Sequence, residues 1–130
     1  MFETAQGALG LYAGINIFWS LSLGMRAALI RGRSRIFLGN GNETMQRAIR
    51  AHGNNIEYVP LALAGMVVLF FLGADVMFIH AVGAVFTLGR IMHGIALSKA
   101  NRSRPQEIGM ILTFASLIFI AGGCLYWALL

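Results

Sequence analysis

Four apolar stretches, roughly residues 5–30, 56–72, 76–98 and 108–130, dominate this 130-residue chain and leave little sequence outside them. Each approaches or exceeds the ~20 residues that cross a bilayer as a helix. A soluble core of this size has no way to bury four such segments. With 58% hydrophobic and 12% charged residues and a mean hydropathy of +0.72, the chain is expected to be an integral membrane protein. The expected fold is all-α, a four-transmembrane-helix up-down bundle in which residues 1–130 form a single membrane domain. The first stretch has no basic leader and runs longer than the apolar part of a signal peptide, so it is expected to be a retained span.

The excess of Lys and Arg follows topology rather than nucleic-acid binding. Arg26, Arg31, Arg33, Arg35 and Arg47 surround the first connection, and Lys99, Arg102 and Arg104 lie in the third. The termini and the opposite turn, Gly73-Ala74-Asp75, carry neither residue type. The positive-inside rule therefore predicts cytoplasmic basic loops and both termini outside. The one cysteine, Cys124, is expected to pack as a small apolar group. No spacing suggests a metal site, a phosphate loop or a serine-histidine-acid arrangement. Gly7, Gly10, Gly14, Gly109, Gly122 and Gly123 are expected to let helices approach closely.

The second helix is predicted over residues 44–72, about 43 Å at the helical rise and longer than the hydrocarbon core requires. Pro60 is expected to kink it where polar residues give way to apolar ones. Its first half carries Arg50, His52, Asn54, Asn55 and Glu57, and polar groups at membrane depth are costly enough to mark a site. Counted outward from the short turn, Glu57 and Arg90 lie at about 24 and 21 Å, and Asn54 and His93 about one turn closer to the basic side. Arg50, Asn54 and Glu57 form one stripe by their spacing, and Arg90 and His93 another. An unpaired Arg at mid-span costs about 2.5 to 3.5 kcal/mol on the insertion scale, so a Glu57 to Arg90 ion pair is predicted, extended by Asn54 and His93. As a staple that pair would only fix helix register. The extra polar groups point instead to a pocket open to the cytoplasm. His52 and Asn55 fall on another face of the helix. His52 is expected at a loop or subunit contact, and His80 at the outer interface.

The ordered residues Arg50, His52, Asn54, Glu57 and Pro60, followed by Gly89, Arg90 and His93, resemble the signature of the MAPEG family, the membrane-associated proteins of eicosanoid and glutathione metabolism. Chain length, span number and the long second helix agree, and the likeness is to bacterial-type microsomal glutathione transferases. The resemblance implies a homotrimer in a bacterial inner membrane, with glutathione as thiol substrate bound between subunits near the cytoplasmic face. Arg50, Asn54, Glu57, Arg90 and His93 would hold its carboxylates and amine, since Arg forks bind carboxylates at two points and a carboxylate binds an ammonium. The implied activity is a glutathione S-transferase or peroxidase acting on hydrophobic electrophiles or lipid hydroperoxides delivered by the bilayer.

Catalysis needs a cation beside the glutathione sulfur that favours thiolate over thiol. Catalytic family members place an Arg near the start of the fourth helix, three residues ahead of a small residue. Counted back from Gly109, that place is Gln106 here. Arg104 is the expected catalytic substitute, with Arg102 as the alternative. Leu97 stands where eicosanoid-making members carry an aromatic hydroxyl. Two rival readings are a non-enzymatic lipid-binding or scaffold protein without turnover and a small multidrug transporter. The transporter is disfavoured because the first span carries only Glu3, at its outer end, and no carboxylate deep in the membrane.

Overall fold

In a computed structural model, the structure describes residues 4–99 and 103–130. Glu3 and Arg102 lie outside the described residues. Four helices account for nearly all of the rest: α1 (Ala5–Ser34), α2 (Glu43–Phe71), α3 (Val76–Leu97) and α4 (Arg104–Ala128). All four are long and apolar enough to cross a membrane. Large side chains such as Phe18, Phe71 and Ile118 are 75%, 79% and 71% exposed. Such a surface suits lipid, where only helices or closed barrels satisfy their own backbone.

The helix starts are written locally. Thr4 Oγ1 accepts from the Gly7 amide at 3.1 Å, Asn42 Oδ1 from Met45 at 3.0 Å, and Asp75 Oδ1 from Met77 at 2.8 Å. Each satisfies an amide that the first helical turn leaves unpaired. The fourth helix lacks a side-chain cap and has Pro105 in its first turn, where a missing N–H costs nothing. Arg35 ends α1 in the left-handed region at φ 51°, and Gly73 makes the tight α2–α3 turn at φ 75°. Pro60 lies on the exposed side of α2, inside a helix that continues through it.

Helices α2 and α3 form the middle of the bundle. Each touches the other and both remaining helices, whereas α1 and α4 do not touch one another among the described residues. The core runs through Val59, Ala62, Met66 and Leu69 of α2, Ile79, Val82 and Phe86 of α3, Ala8 of α1 and Ile120 of α4. The α3–α4 contact is nearly backbone on backbone. A Cβ on Gly109 would lie 2.7 Å from the His93 amide nitrogen and 2.8 Å from the Gly89 carbonyl oxygen. Gly94 likewise makes room for the Trp19 ring, and Gly123 for Phe78. The glycine expectation needs correcting elsewhere: Gly10, Gly14 and Gly122 face open space. They sit on outward faces, where nothing in the chain approaches.

Candidate functional site: a buried arginine between two asparagines

Arg90 is the largest fully buried side chain, at 0% exposure. Its Nη2 donates to Asn54 Oδ1 at 2.7 Å, its Nε to Asn55 Oδ1 at 3.2 Å and its Nη1 to Thr113 Oγ1 at 3.4 Å. The Met110 sulfur lies 3.9 Å from Nη1. The guanidinium carbon stands 5.4 Å from the centre of the Tyr58 ring, near enough for a cation–π attraction. Every one of these partners is neutral.

The predicted Glu57 to Arg90 ion pair is therefore a correction. The depth count was sound, but the face was not. At 100° per residue Glu57 is turned some 200° from Asn55 and is exposed, and the ion pair recorded among the described residues is Arg47 with Glu43 at 3.2 Å. Asn55, assigned by sequence to another face, is fully buried and holds the cation. A signal for it was present. The buried positions of α2, Met45, Ala48, Ala51, Asn55, Val59, Ala62, Met66 and Leu69, follow steps of three and four, and Asn55 is the polar member of that apolar stripe.

Sequence reasoning also missed α1. Asn55 Nδ2 donates to Ser20 Oγ at 2.7 Å, and Ser20 Oγ donates to the Asn16 carbonyl oxygen at 2.8 Å. Asn16, 1% exposed, donates through Nδ2 to Thr87 Oγ1 at 2.7 Å and to the Tyr12 carbonyl oxygen at 2.8 Å. Trp19 Nε1 donates to the Arg90 carbonyl oxygen at 3.2 Å. Tyr12 continues the seam to His80, with its hydroxyl 3.0 Å from Nδ1. Ala8, Asn16 and Leu23 are the buried positions of α1, and their eight- and seven-residue spacing repeats every two turns, so Asn16 was visible as the polar member of an inward stripe.

His93 is 4% exposed, and its Nδ1 lies 2.9 Å from the Gln106 carbonyl oxygen. A carbonyl only accepts, so Nδ1 carries the proton and Nε2 is the acceptor of the neutral ring. Position 106 thus contributes its backbone to orienting His93. Beside it a cavity of about 330 Å³ is lined by His93, Gln106, Glu107, Met110, Ile111 and Phe114. It is polar toward the α4 start and apolar toward the membrane. Met110 connects it to Arg90, and Phe114 to Tyr58 through an edge contact at 5.7 Å.

The remaining expected residues lie apart. Arg50 is exposed in a separate groove of about 350 Å³ with Glu43, Gln46, Arg47 and Leu97. Arg104 is the first, exposed residue of α4. His52 packs against α1, where its Cε1 would lie 3.1 Å from a Cβ on Gly24. Its setting is a helix contact rather than a loop. Asn54, partly exposed, is the sequence-predicted residue that joins the outer stripe of α2 to Arg90.

A four-span helical membrane protein whose second and third helices bury an Arg between Asn side chains is the class these features define. The MAPEG family profile matches residues 9–126, and the chain belongs to that family. It is similar to "Inner membrane protein YecN" of Escherichia coli strain K12, 30% identical over 111 residues that cover 85% of this chain and 84% of that protein. The protein of the same name from Escherichia coli O6:H1 strain CFT073 matches with the same identity and coverage.

Proposed function

We propose that this protein binds glutathione near its basic end and uses the thiol against hydrophobic electrophiles or lipid hydroperoxides. It works as a homotrimer in a bacterial inner membrane, with basic loops cytoplasmic and both termini outside. The observation that carries this reading is Arg90: a guanidinium held in a dry interior by neutral acceptors alone, beside a cavity that grades from polar to apolar. Its charge is not cancelled by a carboxylate within ion-pair distance among the described residues. The Arg90 field favours an anionic group in the adjoining space, opposed by the Glu107 carboxylate that lines the same cavity and by Glu57, which acts on Arg90 from beyond ion-pair distance. Because Arg90 is enclosed, it acts chiefly by orienting Asn54 and supplying that field.

Arg50, Asn54 and Glu57 are then the groups on α2 that meet the tripeptide's carboxylates and amine, with His93 supplying Nε2 from α3. Arg104, at the mouth of α4, is the cation that stabilises the thiolate. The thiolate sulfur forms a bond to an electrophilic carbon, and the electron pair leaves with a halide or is protonated at an activated double bond. With a hydroperoxide, two glutathione molecules give the disulfide, and the products are an alcohol and water.

A second reading, a lipid-binding scaffold without turnover, is favoured by Gln106 and Leu97 standing where catalytic relatives carry Arg and an aromatic hydroxyl. Calorimetric titration of the purified protein with glutathione, paired with conjugation assays across several electrophiles, separates the two. Binding that is lost in Asn54→Leu, together with turnover that falls at least about tenfold in Arg104→Ala at similar affinity, is the expected result. No binding to the wild type removes the proposal. Binding without turnover assigns the scaffold.

A further inference from the structure

A thiol reaction at this site has to dispose of a proton. A free thiol ionises near pH ~8.5, so glutathione in neutral water is mostly thiol and must lose its proton to become the nucleophile. Arg104 and Arg90 can stabilise the anion left behind. Neither can take the proton, because a guanidinium has no lone pair with which to accept it. The acceptor has to come from elsewhere in the cavity.

Of the side chains lining it, His93 and Glu107 are the titratable ones. A carboxylate is a weaker base than an imidazole, and Glu107 stands exposed in the first turn of α4. His93 is better placed. Its Nδ1 is engaged by the Gln106 carbonyl oxygen at 2.9 Å, so the lone pair of the neutral ring is on Nε2, the nitrogen left to meet a ligand in the cavity. The same carbonyl holds the ring, as the acid of a catalytic triad does, and supports the charge that proton uptake creates. Met110, Ile111 and Phe114 supply the rest of the wall. Those neighbours suit a sulfur atom and a hydrophobic electrophile, whereas an ammonium would have to shed its water there. The thiol, rather than the amine of the tripeptide, is therefore the group that fits in front of Nε2.

We propose that His93 is the general base of the thiol reaction, an inference that rests on the glutathione reading and adds the destination of its proton. The S–H bond breaks with its electron pair left on sulfur, and the proton passes to Nε2. Arg90, on the same helix, acts against a second positive charge on the ring, while the Glu107 carboxylate in the same cavity favours it. The imidazolium is thus held chiefly while a thiolate lies beside it. At an activated double bond the sulfur bonds to one carbon, the displaced electron pair moves to the other side of the bond, and that site takes the proton back from Nε2. With a hydroperoxide the sulfur bonds to the terminal oxygen, the O–O bond breaks, and the leaving alkoxide takes the proton to become an alcohol. A second glutathione then converts the sulfenic acid to the disulfide and water. When a halide leaves with the electron pair, His93 returns its proton to water.

The purified full chain is titrated with glutathione at neutral pH in buffers of different ionisation heat, which counts protons exchanged with solvent, and the ultraviolet thiolate band is read on the same samples. S-methylglutathione, which has no thiol proton, supplies the baseline. The wild type is expected to form thiolate while releasing fewer than about 0.3 protons per thiolate above that baseline. His93→Gln, which keeps a donor for the Gln106 carbonyl oxygen but offers no base, is expected to lower turnover about a hundredfold and to weaken glutathione binding less than about threefold. Glu107→Gln removes the other acceptor at an exposed position and is expected to leave the proton count near zero. The wild-type count decides the matter even if His93→Gln does not fold. Release of about one proton per thiolate would send the proton to solvent and overturn the proposal. So would bound glutathione without a thiolate band, undiminished turnover in a folded His93→Gln, or a count that rises to about one in Glu107→Gln. A wild type that gives no binding heat with glutathione fails differently, by removing the glutathione reading and this inference with it.

Discussion

Asn55 and Glu57 sit two residues apart on α2 and have opposite fates. Asn55 is buried, accepts from Arg90 Nε and donates to Ser20 Oγ, whereas Glu57 is exposed. Replacing Asn55 with Leu strips a buried cation of one acceptor and leaves Ser20 without its donor. The expected cost is about 1 to 3 kcal/mol, read as a lower thermal unfolding midpoint in detergent. Glu57→Gln is expected to stay within about 0.5 kcal/mol of the wild type in the same measurement. The reverse order of destabilisation would mean that Glu57, not Asn55, is the partner of Arg90. A leucine at position 55 with an unaltered midpoint would equally remove the network from the stability of the fold.

Between helices, the decisive features are the glycines, and here sequence and structure part company. Helix number and the long α2 were legible, because apolar length is a local signal, whereas α1 runs on to Ser34 and α4 starts at Arg104, beyond the apolar stretches that marked them. The depth match of Arg90 with the polar half of α2 was also legible, since it needs only a rise per residue. Which face meets which neighbour was not, because that depends on packing partners a single chain does not announce. The Asn54 to Glu57 stripe is a regular helical spacing that points partly outward. The Asn55 position, read along with Ala51 and Val59, is the inward one. Trp19 on α1 was invisible for the same reason, whereas Asn16 was overlooked although its spacing from Ala8 and Leu23 marks an inward stripe. Glycine spacing likewise failed to separate Gly109, jammed against His93 and Gly89, from Gly122, which faces open space. Gly109→Ala is expected to cost about 1 to 3 kcal/mol or more by forcing α4 off α3. Gly122→Ala is expected to be neutral or slightly stabilising, as an Ala in an exposed helix position should be. Equal midpoints for the two variants in a thermal melt would contradict the close α3–α4 contact.

For the whole molecule, the distribution of Arg and Lys predicts an orientation that can be measured directly. On a Cys124→Ala background, Arg35→Cys is expected to resist a membrane-impermeant maleimide added to intact cells, and Leu130→Cys to react. Labelling of the first and protection of the second would invert the topology and place the basic loops on the other side of the membrane. A proposed thiol site drawing on cytoplasmic glutathione would then lose its supply.

Among the described residues helices α1 and α4 do not touch, so the bundle is an open frame whose two outer posts lean on the central pair. One side chain nonetheless links them: Arg90 reaches α4 through Thr113 and, by way of Asn55, the hydroxyl of Ser20 on α1. It works as a rivet through three layers. Removing it would take one shared hydrogen-bonded anchor from both outer helices at once, while each stays packed on α2 and α3 through contacts of its own.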